Sequence, residues 1–421
     1  MTAPPAPWFR RPDPLPAGTR VAVVGGGVAG AAAARALARG GARVVVLERH
    51  GVLAAEASGN PAGIIAPRLT RDGGAGGRFH DRAFRHALDL MDALEARGHR
   101  IRHPAAGVLL AARDGAEAAR QDDLAARYAW PDGLMARVDA AAARDLTGRA
   151  HRHGGLWLPR AGTVFPRTLV ATLAEGLDLR LGAEVAALRR ADGAWSLLDG
   201  AGRAVADAGA VVLANGVFAR ALAAAADLAM TANRGQITLL HGGTAPRAAV
   251  SAGAYETPAL QWHGAPARVA GATYDRWADP ADGAWRRVRD ADHRRNLEAL
   301  ADPGTVAGGR AALRAVTTDR LPLVGPLPDA AAYRAAYADL RHGRPAETYP
   351  EAPYLPGLYA CCGFGSRGLQ TAPLAAEVLA SLVLGTPAPV ETDLLDALHP
   401  ARFLVRELKK GPQKNTAINY F

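Results

Sequence analysis

Three glycines at a fixed spacing carry the clearest chemical signal in the sequence. Gly25, Gly27 and Gly30 follow an apolar run of strand type and lead into an alanine-rich stretch that predicts a helix. In this pattern the first glycine allows a tight turn, the second lets the backbone approach a pyrophosphate, and the third lets the helix pack against the strand. The unpaired N–H groups at the start of such a helix attract phosphates. The spacing predicts a dinucleotide site that also includes Val28 and Ala29.

An acidic residue narrows the class of dinucleotide. A second apolar run, residues 43–47, ends in Glu48, eighteen positions after Gly30. A carboxylate at this place accepts hydrogen bonds from ribose hydroxyls and repels a 2′-phosphate. The ligand is therefore predicted to be FAD or NAD, with Glu48 and its neighbour Arg49 among its contacts.

Two other segments have the small and polar residues that suit contact with a flat ligand. Residues 57–63 read ASGNPAG, so the backbone can lie against a ring system while Ser58 and Asn60 donate hydrogen bonds. The apolar run 210–213 leads into a small-residue turn, and nucleotides bind at the carboxyl ends of parallel strands. The cofactor contacts predicted from this part of the chain are Ala57, Ser58, Gly59, Asn60, Ala62, Gly63, Val185, Ala214, Asn215 and Gly216.

A second strand, glycine loop and helix start lie near the end of the chain, in residues 357–371. Two such units at opposite ends indicate one long ligand that contacts both, and a nucleotide-binding domain that is interrupted by other sequence. This favours FAD over NAD, because the flavin ring lies far from the adenine. The contacts predicted from this unit are Gly363, Gly365, Ser366, Arg367, Gly368 and Leu369.

The elements that position these residues predict an α/β fold. A Rossmann-like FAD-binding domain is interrupted by a smaller α+β substrate domain with an antiparallel sheet. We assign residues 20–100, 145–225 and 313–410 to the FAD-binding domain, 101–144 and 226–312 to the substrate domain, and 1–19 and 411–421 to a Pro-rich linker and a tail. The local patterns predict a loop at 73–77, a helix at 79–97, a strand–turn–strand at 101–112, a helical region at 121–146, a strand–turn pair at 155–166, and a meander of strands at 179–181, 184–188 and 195–198.

Composition leaves the partner open. The chain has 421 residues, 49% of them hydrophobic and 21% charged, which is typical of a soluble globular protein. Its formal net charge of +10 suggests a nucleic-acid ligand. However, lysine occurs only at Lys409, Lys410 and Lys414, and a chain rich in Arg, Ala and Gly also indicates GC-rich codons. The basic segment 402–414 is either an RNA-facing patch, which we favour, or a solvated helix end.

The sequence contains no signal for export, a membrane or a metal. No apolar run reaches the length of a membrane span, and the N-terminal segment lacks the apolar core of a signal peptide. Cys361 and Cys362 are adjacent in a strand of apolar type, which indicates reduced core thiols. No group of His, Cys, Asp or Glu has metal-ligand spacing. We therefore expect a cytoplasmic protein that binds no metal and does not associate with a membrane.

Four stretches resemble a known family of flavoenzymes. Residues 57–63, 321–325 (LPLVG), 363–369 (GFGSRGL) and 394–403 (LLDALHPARF) are similar to the D-amino-acid-oxidase-like superfamily. Within it they resemble the oxidoreductase module of the bifunctional tRNA 5-methylaminomethyl-2-thiouridine biosynthesis proteins, the MnmC family. The last stretch is outside the general dinucleotide fingerprint, so it carries the subfamily resemblance. The resemblance implies an FAD domain of the glutathione-reductase type and noncovalent FAD, because covalent relatives use a cysteine near 317–318 and this chain has none there.

The resemblance also implies a reaction. This is FAD-dependent removal of the carboxymethyl group from 5-carboxymethylaminomethyl-(2-thio)uridine at the tRNA wobble position, which leaves the 5-aminomethyl base and glyoxylate. A hydride passes from the carbon between amine and carboxylate to flavin N5, and water hydrolyses the imine. The substrate carboxylate needs a cation, preferably the fork of an arginine. By position, Arg314 is the first candidate and Arg367 the second, Tyr274 is expected to hydrogen-bond the same group, and Gln236 to line the substrate face of the flavin.

Two other functions stay open. A small-molecule amine or amino-acid oxidase or dehydrogenase of the glycine-oxidase type would share the cofactor site and Arg314 but lack a broad basic surface. The chain could also be a non-catalytic, flavin-stabilised tRNA-binding protein. MnmC proteins carry a methyltransferase module ahead of the oxidase, and here about twenty residues precede the first strand, with no second glycine motif for S-adenosylmethionine. We therefore expect a separate methyltransferase chain as a partner.

Overall fold

The structure is a computed structural model that describes residues 6–128, 130–298 and 300–410. The described helices are α1 Val28–Arg39, α2 Ala75–Glu95, α3 Gly115–Tyr128, α4 Ala140–Thr147, α5 Pro166–Ala174, α6 Ala219–Leu222, α7 Asp290–Leu297, α8 Ala330–Ala336, α9 Gly368–Leu384, α10 Thr392–Leu398 and α11 Arg402–Lys410. The described strands are β1 Arg20–Val24, β2 Arg43–Glu48, β3 Gly63–Ile65, β4 Arg102–Ala111, β5 Ala136–Val138, β6 Gly155–Val164, β7 Asp178–Leu181, β8 Ala187–Ala191, β9 Ala194–Leu198, β10 Ala204–Ala208, β11 Ala210–Leu213, β12 Thr231–His241, β13 Ala249–Ala252, β14 Ala254–Glu256, β15 Leu260–Trp262, β16 Ala265–Gly271, β17 Asp275–Trp277, β18 Thr305–Val316, β19 Leu323–Pro328 and β20 Tyr354–Cys362.

A six-stranded sheet forms the nucleotide-binding half of the molecule. Its strand order is β19-β20-β11-β1-β2-β7, with all strands parallel except β19. Alternate residues of a strand point to opposite faces, so Val21 and Val23 pack under α1, α5 and α9. Ala22 and Val24 face a three-stranded meander, β8–β10, on the other side. This architecture confirms the predicted α/β fold with a Rossmann-like sheet.

A second sheet of eleven strands forms the other half. Its main path is β17-β12-β16-β14-β13-β4-β6-β3, and β15, β18 and β5 pair with its members. The long antiparallel pair of β12 and β18 runs from Thr231 opposite Val316 to His241 opposite Thr305. Val316 also forms a bridge with Phe364, just beyond β20, so the two sheets meet at the glycine loop that precedes α9.

Two segments that we assigned to the FAD-binding domain belong to the large sheet. Strand β6 pairs with β3 on one side and with β4 on the other, inside the eleven-stranded sheet. Strand β7, predicted as part of the meander, pairs with β2 at the edge of the parallel sheet instead. The meander itself consists of β8, β9 and β10, and residues 184–186 are not part of a strand.

The predicted turns in 101–112 and 155–166 are bulges inside continuous strands. Between β4 and β6 the register shifts on either side of Ala106. Gly107 takes a left-handed conformation at φ +91°, and a Cβ there would overlap the ring of Trp157. Such an extra residue bends a strand without ending it. The interrupted ladder also accommodates Pro159, which has no N–H to donate.

Two helix boundaries also differ from the predictions. Helix α2 begins at Ala75, so it includes part of the predicted glycine loop. At Gly77 a Cβ would overlap the hydroxyl of Thr70, and this close packing explains a glycine inside a helix. The region 121–146 contains α3, β5 and α4 rather than one helical run, because Pro131 and Gly133 lie between the two helices.

The described part of the N-terminal segment is packed onto the domain rather than loose. The ring of Trp8 makes edge contacts with Tyr337 and Tyr349, at centroid distances of 6.3 and 5.8 Å. The hydroxyl of Tyr333 donates a hydrogen bond to the Trp8 carbonyl. Residues 1–5 and the predicted tail 411–421 lie outside the described residues. None of the described helices is long and apolar enough to span a membrane.

Candidate active site

A cavity of about 1170 Å³ lies where the two sheets meet. The carboxyl ends of β1, β2 and β11, the start of α1 and the glycine loop before α9 form one part of its lining, and strands of the large sheet form another. This is the edge at which parallel α/β sheets bind nucleotides. Pockets for drug-sized ligands are roughly 300–1,000 Å³, so the cavity has room for a longer molecule.

The dinucleotide end of the cavity has the predicted close packing. Gly25 adopts φ +111°, and a Cβ there would lie 2.9 Å from the carbonyl oxygen of Ala214. A Cβ at Gly30 would overlap the Gly25 carbonyl oxygen, so Gly30 serves the contact between helix and strand and does not line the cavity. The first turn of α1 borders the cavity, and the Val28 N–H donates to Ser58 Oγ at 3.0 Å.

The carboxylate of Glu48 is held by hydrogen bonds from neighbouring backbone N–H groups. One carboxylate oxygen accepts from the Gly26 N–H at 2.7 Å and the other from the His50 N–H at 2.9 Å. Each oxygen keeps a further lone pair, so the carboxylate can also accept from ribose hydroxyls. Asn215 also lines the cavity, and its Oδ1 is buried and has no hydrogen-bond partner among the described residues. A glycine cradle, a placed carboxylate and an unpartnered amide oxygen fit the adenosine diphosphate part of FAD.

Most of the predicted cofactor contacts line this one cavity. Those that do are Gly25, Gly27, Val28, Ala29, Glu48, Arg49, Ala57, Ser58, Asn60, Gly63, Val185, Ala214, Asn215, Gly216, Gly363, Gly365, Ser366, Arg367, Gly368 and Leu369. Gly30, Gly59 and Ala62 do not. A Cβ at Gly59 would overlap the Ala54 carbonyl oxygen, and Ala62 is fully buried beside Ile237.

The placement of Gln236 corrects its predicted role. Its side chain is fully buried, and it accepts from the Arg289 N–H at 2.8 Å and donates to the Arg289 carbonyl at 2.8 Å. Arg234 lies on the same face of β12 and forms a buried ion pair with Asp292 at 2.5 Å. Both side chains therefore hold the segment around α7 against β12, and neither lines the cavity.

Arg314 lies in the cavity wall on β18. Its Nη1 donates to the Thr273 carbonyl at 2.9 Å, and its guanidinium carbon is 5.5 Å from the centre of the Tyr274 ring. Burial lowers the pKa of Arg314, which the nearby Tyr255, Tyr274 and Asp275 partly counteract. No described carboxylate forms an ion pair with it, so a partly buried cation with free donors faces the cavity.

Tyr255 is a cavity residue that sequence reasoning missed. It lines the cavity near Arg314, and burial raises the pKa of its phenol to about 12 although Arg314 lowers it. The phenol is therefore neutral and can donate a hydrogen bond at physiological pH. Tyr274, which was predicted, also lines the cavity and is half exposed at 50%. Tyr255 is in a short strand of alternating pattern, which carries no motif that could have identified it.

Arg367 lies at the N-terminus of α9 together with two arginines that sequence reasoning missed. Its Nη1 donates to the Ala66 carbonyl at 2.7 Å. Burial, with the nearby charges of Arg68 and Arg320, lowers the pKa of Arg367 to about 10. Burial and the charges of Arg367 and Arg68 also lower the pKa of His80 to about 4, so this cavity histidine is neutral. Arg320 directly precedes the 321–325 motif and Arg68 lies five residues after the 57–63 motif, and that proximity was the available signal.

The described part of the basic C-terminal segment holds a loop of the site in place and does not itself line the cavity. Arg402 is only 2% exposed and donates from Nε and Nη2 to the two carboxylate oxygens of Asp319, each at 2.9 Å. Arg406 Nη1 adds a bond of 2.7 Å to the same carboxylate. Arg402 is therefore a buried structural residue and not part of an RNA-facing patch. It fixes the loop that carries Arg320, and Lys414 lies outside the described residues.

The two cysteines are buried, free thiols in β20, as predicted. Burial raises the pKa of Cys362 to about 12 although Arg402 lowers it, so the thiol stays protonated and is a poor nucleophile. This supports noncovalent binding of FAD. Among the described residues no group of three or more His, Cys, Asp or Glu side chains could hold a metal ion.

Comparisons with known proteins agree with the site. The family model for FAD-dependent oxidoreductases (DAO) matches residues 20–382. The MnmC bifunctional protein of Magnetococcus marinus is 38% identical over 417 residues, which cover 96% of this chain and 62% of that protein. The corresponding protein of Burkholderia orbicola is 40% identical over 417 residues, 94% of this chain and 62% of that protein. The predicted resemblance is thus confirmed, and the chain spans about 62% of the length of these relatives.

Solved structures share the fold. Iminodiacetate oxidase from Chelativorans has a TM-score of 0.69 and 24% identity, covering 90% of this chain and 99% of that one. Glycine oxidase from Geobacillus kaustophilus has a TM-score of 0.67 and 24% identity, covering 91% and 99%. The family match, the fold and the fit of the cavity lead to one conclusion: the chain belongs to the FAD-dependent oxidoreductases of the DAO family, and its cofactor is FAD.

Proposed function

We propose that this chain removes the carboxymethyl group from 5-carboxymethylaminomethyl-(2-thio)uridine at the wobble position of tRNA. As a member of its family it is an oxidoreductase that acts on CH–NH donors. The observation that carries the proposal is Arg314, a cation that faces the FAD cavity with no carboxylate partner among the described residues. Similarity to MnmC proteins over nearly the whole chain supports tRNA as the carrier of the substrate.

The residues around Arg314 suit a substrate with an amine next to a carboxymethyl group. Arg314 uses Nη1 for the Thr273 carbonyl, which leaves other guanidinium N–H groups for a substrate carboxylate. The phenols of Tyr255 and Tyr274 line the same part of the cavity, and their hydroxyl groups can donate to that carboxylate. Together they hold the carboxylate and so orient the carbon that bears the hydrogen to be removed.

The reaction balances with water as the only other reactant. FAD bound in this cavity would supply the two-electron oxidation of the carbon between amine and carboxylate. Water then adds to the resulting C=N bond of the substrate, and cleavage gives the 5-aminomethyl base and glyoxylate. Arg314 and the phenols keep the carboxylate fixed while the C–N bond is broken. No side chain is needed as a base if the amine binds in its neutral form.

An anaerobic reduction experiment tests this proposal. The absorbance of oxidised flavin is followed after addition of glycine, sarcosine, or tRNA that carries the carboxymethylaminomethyl base, with unmodified tRNA as the control. We expect bleaching and stoichiometric glyoxylate with the modified tRNA alone. Bleaching by a free amino acid, but not by this tRNA, would place the protein with the small-molecule oxidases. Binding of tRNA without any bleaching would favour the non-catalytic alternative. A separate methyltransferase chain and a cytoplasmic location stay predictions.

A further inference from the structure

Three arginines from distant parts of the chain share one region of the cavity. Arg68, Arg320 and Arg367 all line it. The Arg367 guanidinium donates to the Ala66 carbonyl, two residues before Arg68. His80 Nε2 lies 3.3 Å from the Arg320 carbonyl oxygen. The charges of Arg367 and Arg68 help to lower the pKa of the same histidine, so all three arginines lie near it. We call Arg68, Arg320 and Arg367 the arginine cluster.

The arginine cluster has no counterion among the described residues. None of its members is in an ion pair, although many other arginines of the chain are paired with Asp or Glu. The nearest acids are engaged elsewhere: Asp319 binds Arg402 and Arg406, and Asp72 accepts from the Gly74 N–H at 3.3 Å. Like charges repel most strongly where water is partly excluded. A concentrated positive charge therefore faces the cavity without a carboxylate in direct contact among the described residues.

The fold fixes this cluster in place. Arg320 adopts a left-handed conformation at φ +62°, which is unfavourable for a residue with a Cβ. Its loop is held by the Asp319–Arg402 ion pair and by the Thr317 hydroxyl, which donates to the Leu321 carbonyl at 2.7 Å. Arg320 is exposed and Arg68 half-buried, so both lie where the cavity opens to solvent. Such preorganisation of like charges indicates a site for an anion.

The other anions of the reaction have their own partners. The FAD pyrophosphate fits the glycine cradle at α1, and the substrate carboxylate fits Arg314. An amino acid substrate has no further negative charge, whereas a nucleotide within RNA has a phosphate on each side. Guanidinium groups bind phosphate oxygens in a two-point arrangement. We propose that Arg68 and Arg320, backed by Arg367, bind a backbone phosphate of the tRNA next to the target nucleotide. This proposal rests on the proposed function.

The test compares the holoenzyme with its R68Q/R320Q variant on two substrates. The first is modified tRNA, and the second is the free 5-carboxymethylaminomethyluridine nucleoside, which has no phosphate. We expect the KM for tRNA to rise about 10- to 100-fold, as for loss of charged hydrogen bonds. The kcat for tRNA, the KM for the nucleoside and the FAD content should stay unchanged. The slope of log binding constant against log salt should fall by about 0.7 per lost phosphate contact.

Matched variants separate this role from others. R189Q/R190Q removes two exposed arginines of β8 that do not line the cavity, and it should leave the KM for tRNA unchanged. R68K/R320K keeps the charge and should recover most of the salt dependence. An unchanged KM for tRNA in R68Q/R320Q, while wild type oxidises modified tRNA, refutes the phosphate site alone. Equal losses for tRNA and nucleoside, or loss of FAD, refute it in favour of a role at the flavin. A wild-type protein that neither binds nor oxidises modified tRNA refutes the proposed function itself.

Discussion

Replacement of Arg314 by methionine should separate substrate oxidation from folding. The side chain fills the space above Gly235, where a Cβ would overlap the guanidinium, and it lies beside the Tyr274 ring. Methionine has a similar length and adapts to irregular spaces, so R314M should leave no large void. It removes the positive charge and the hydrogen bond to the Thr273 carbonyl, which is 2.9 Å long.

R314M should affect catalysis much more than stability. Loss of one partner of a buried, hydrogen-bonded charge pair costs about 2–5 kcal/mol, so kcat/KM should fall by roughly 30- to 4,000-fold. Stability responds differently, because removal of an unpaired charge from a partly buried site offsets the lost hydrogen bond to Thr273. We expect the free energy of unfolding to change by about 1 kcal/mol or less.

Rapid anaerobic flavin reduction gives the rate, and urea unfolding of the FAD-loaded protein gives the stability. The control is R190M, which removes an exposed arginine from β8. An R314M protein with full FAD content and unchanged kcat/KM would refute the assignment of Arg314 to the substrate carboxylate. A loss of several kcal/mol in unfolding free energy, with reduction rates unaffected per bound FAD, would show that Arg314 is a structural residue.

Three further substitutions test other parts of the site. G27V should yield apoprotein, because a Cβ there lies 3.2 Å from Ser58 Oγ and the added methyl groups enter the cavity; a purified variant with flavin absorbance would contradict this. Burial alone would raise the pKa of Asp319, but hydrogen bonds and charge from Arg402 lower this pKa to about 2. The carboxylate therefore stabilises the fold above about pH 4, and this stabilisation is lost as the pH falls from 4 towards 2. D319N should cost about 3–5 kcal/mol at pH 7 by leaving Arg402 unpaired, and urea unfolding should show a smaller acid-induced loss than in wild type; equal acid sensitivity would count against the pair. Q236L should lower the free energy of unfolding by about 1–3 kcal/mol but leave turnover per bound FAD unchanged, and a selective rise in KM would restore Gln236 to the substrate site.

The nucleotide-binding half could be predicted because its signals are local. Gly25, Gly27 and Gly30 lie within one turn and one helix start, and Glu48 ends the next strand. Each constraint acts between neighbours in sequence, so a short pattern contains it. The turn predicted within 101–112 shows the limit, since the left-handed glycine found there, Gly107, suits a turn and a bulge equally.

The face of a strand was harder to predict. Nearly every interior residue of β12 is buried, so the usual alternation of polar and apolar residues gives no orientation. Gln236 was therefore wrongly assigned to the cavity face of β12. Its amide in fact packs against the segment before α7, which is distant in sequence. Arg68, Arg320 and Arg367 come together across some 300 positions, and no local pattern describes such a cluster.

The strand order of the parallel sheet has a consequence for biosynthesis. β1 is synthesised first, but its neighbour β11 begins at Ala210 and the next strand, β20, at Tyr354. A sheet dominated by such distant pairings has a high contact order and folds slowly. The glycine loop at 363–368 follows β20, and α11, which fastens the Arg320 loop through Arg402, comes later in the chain than both. The FAD cavity is lined by both ends of this discontinuous domain, so it is complete only after β20 and the following glycine loop have been synthesised.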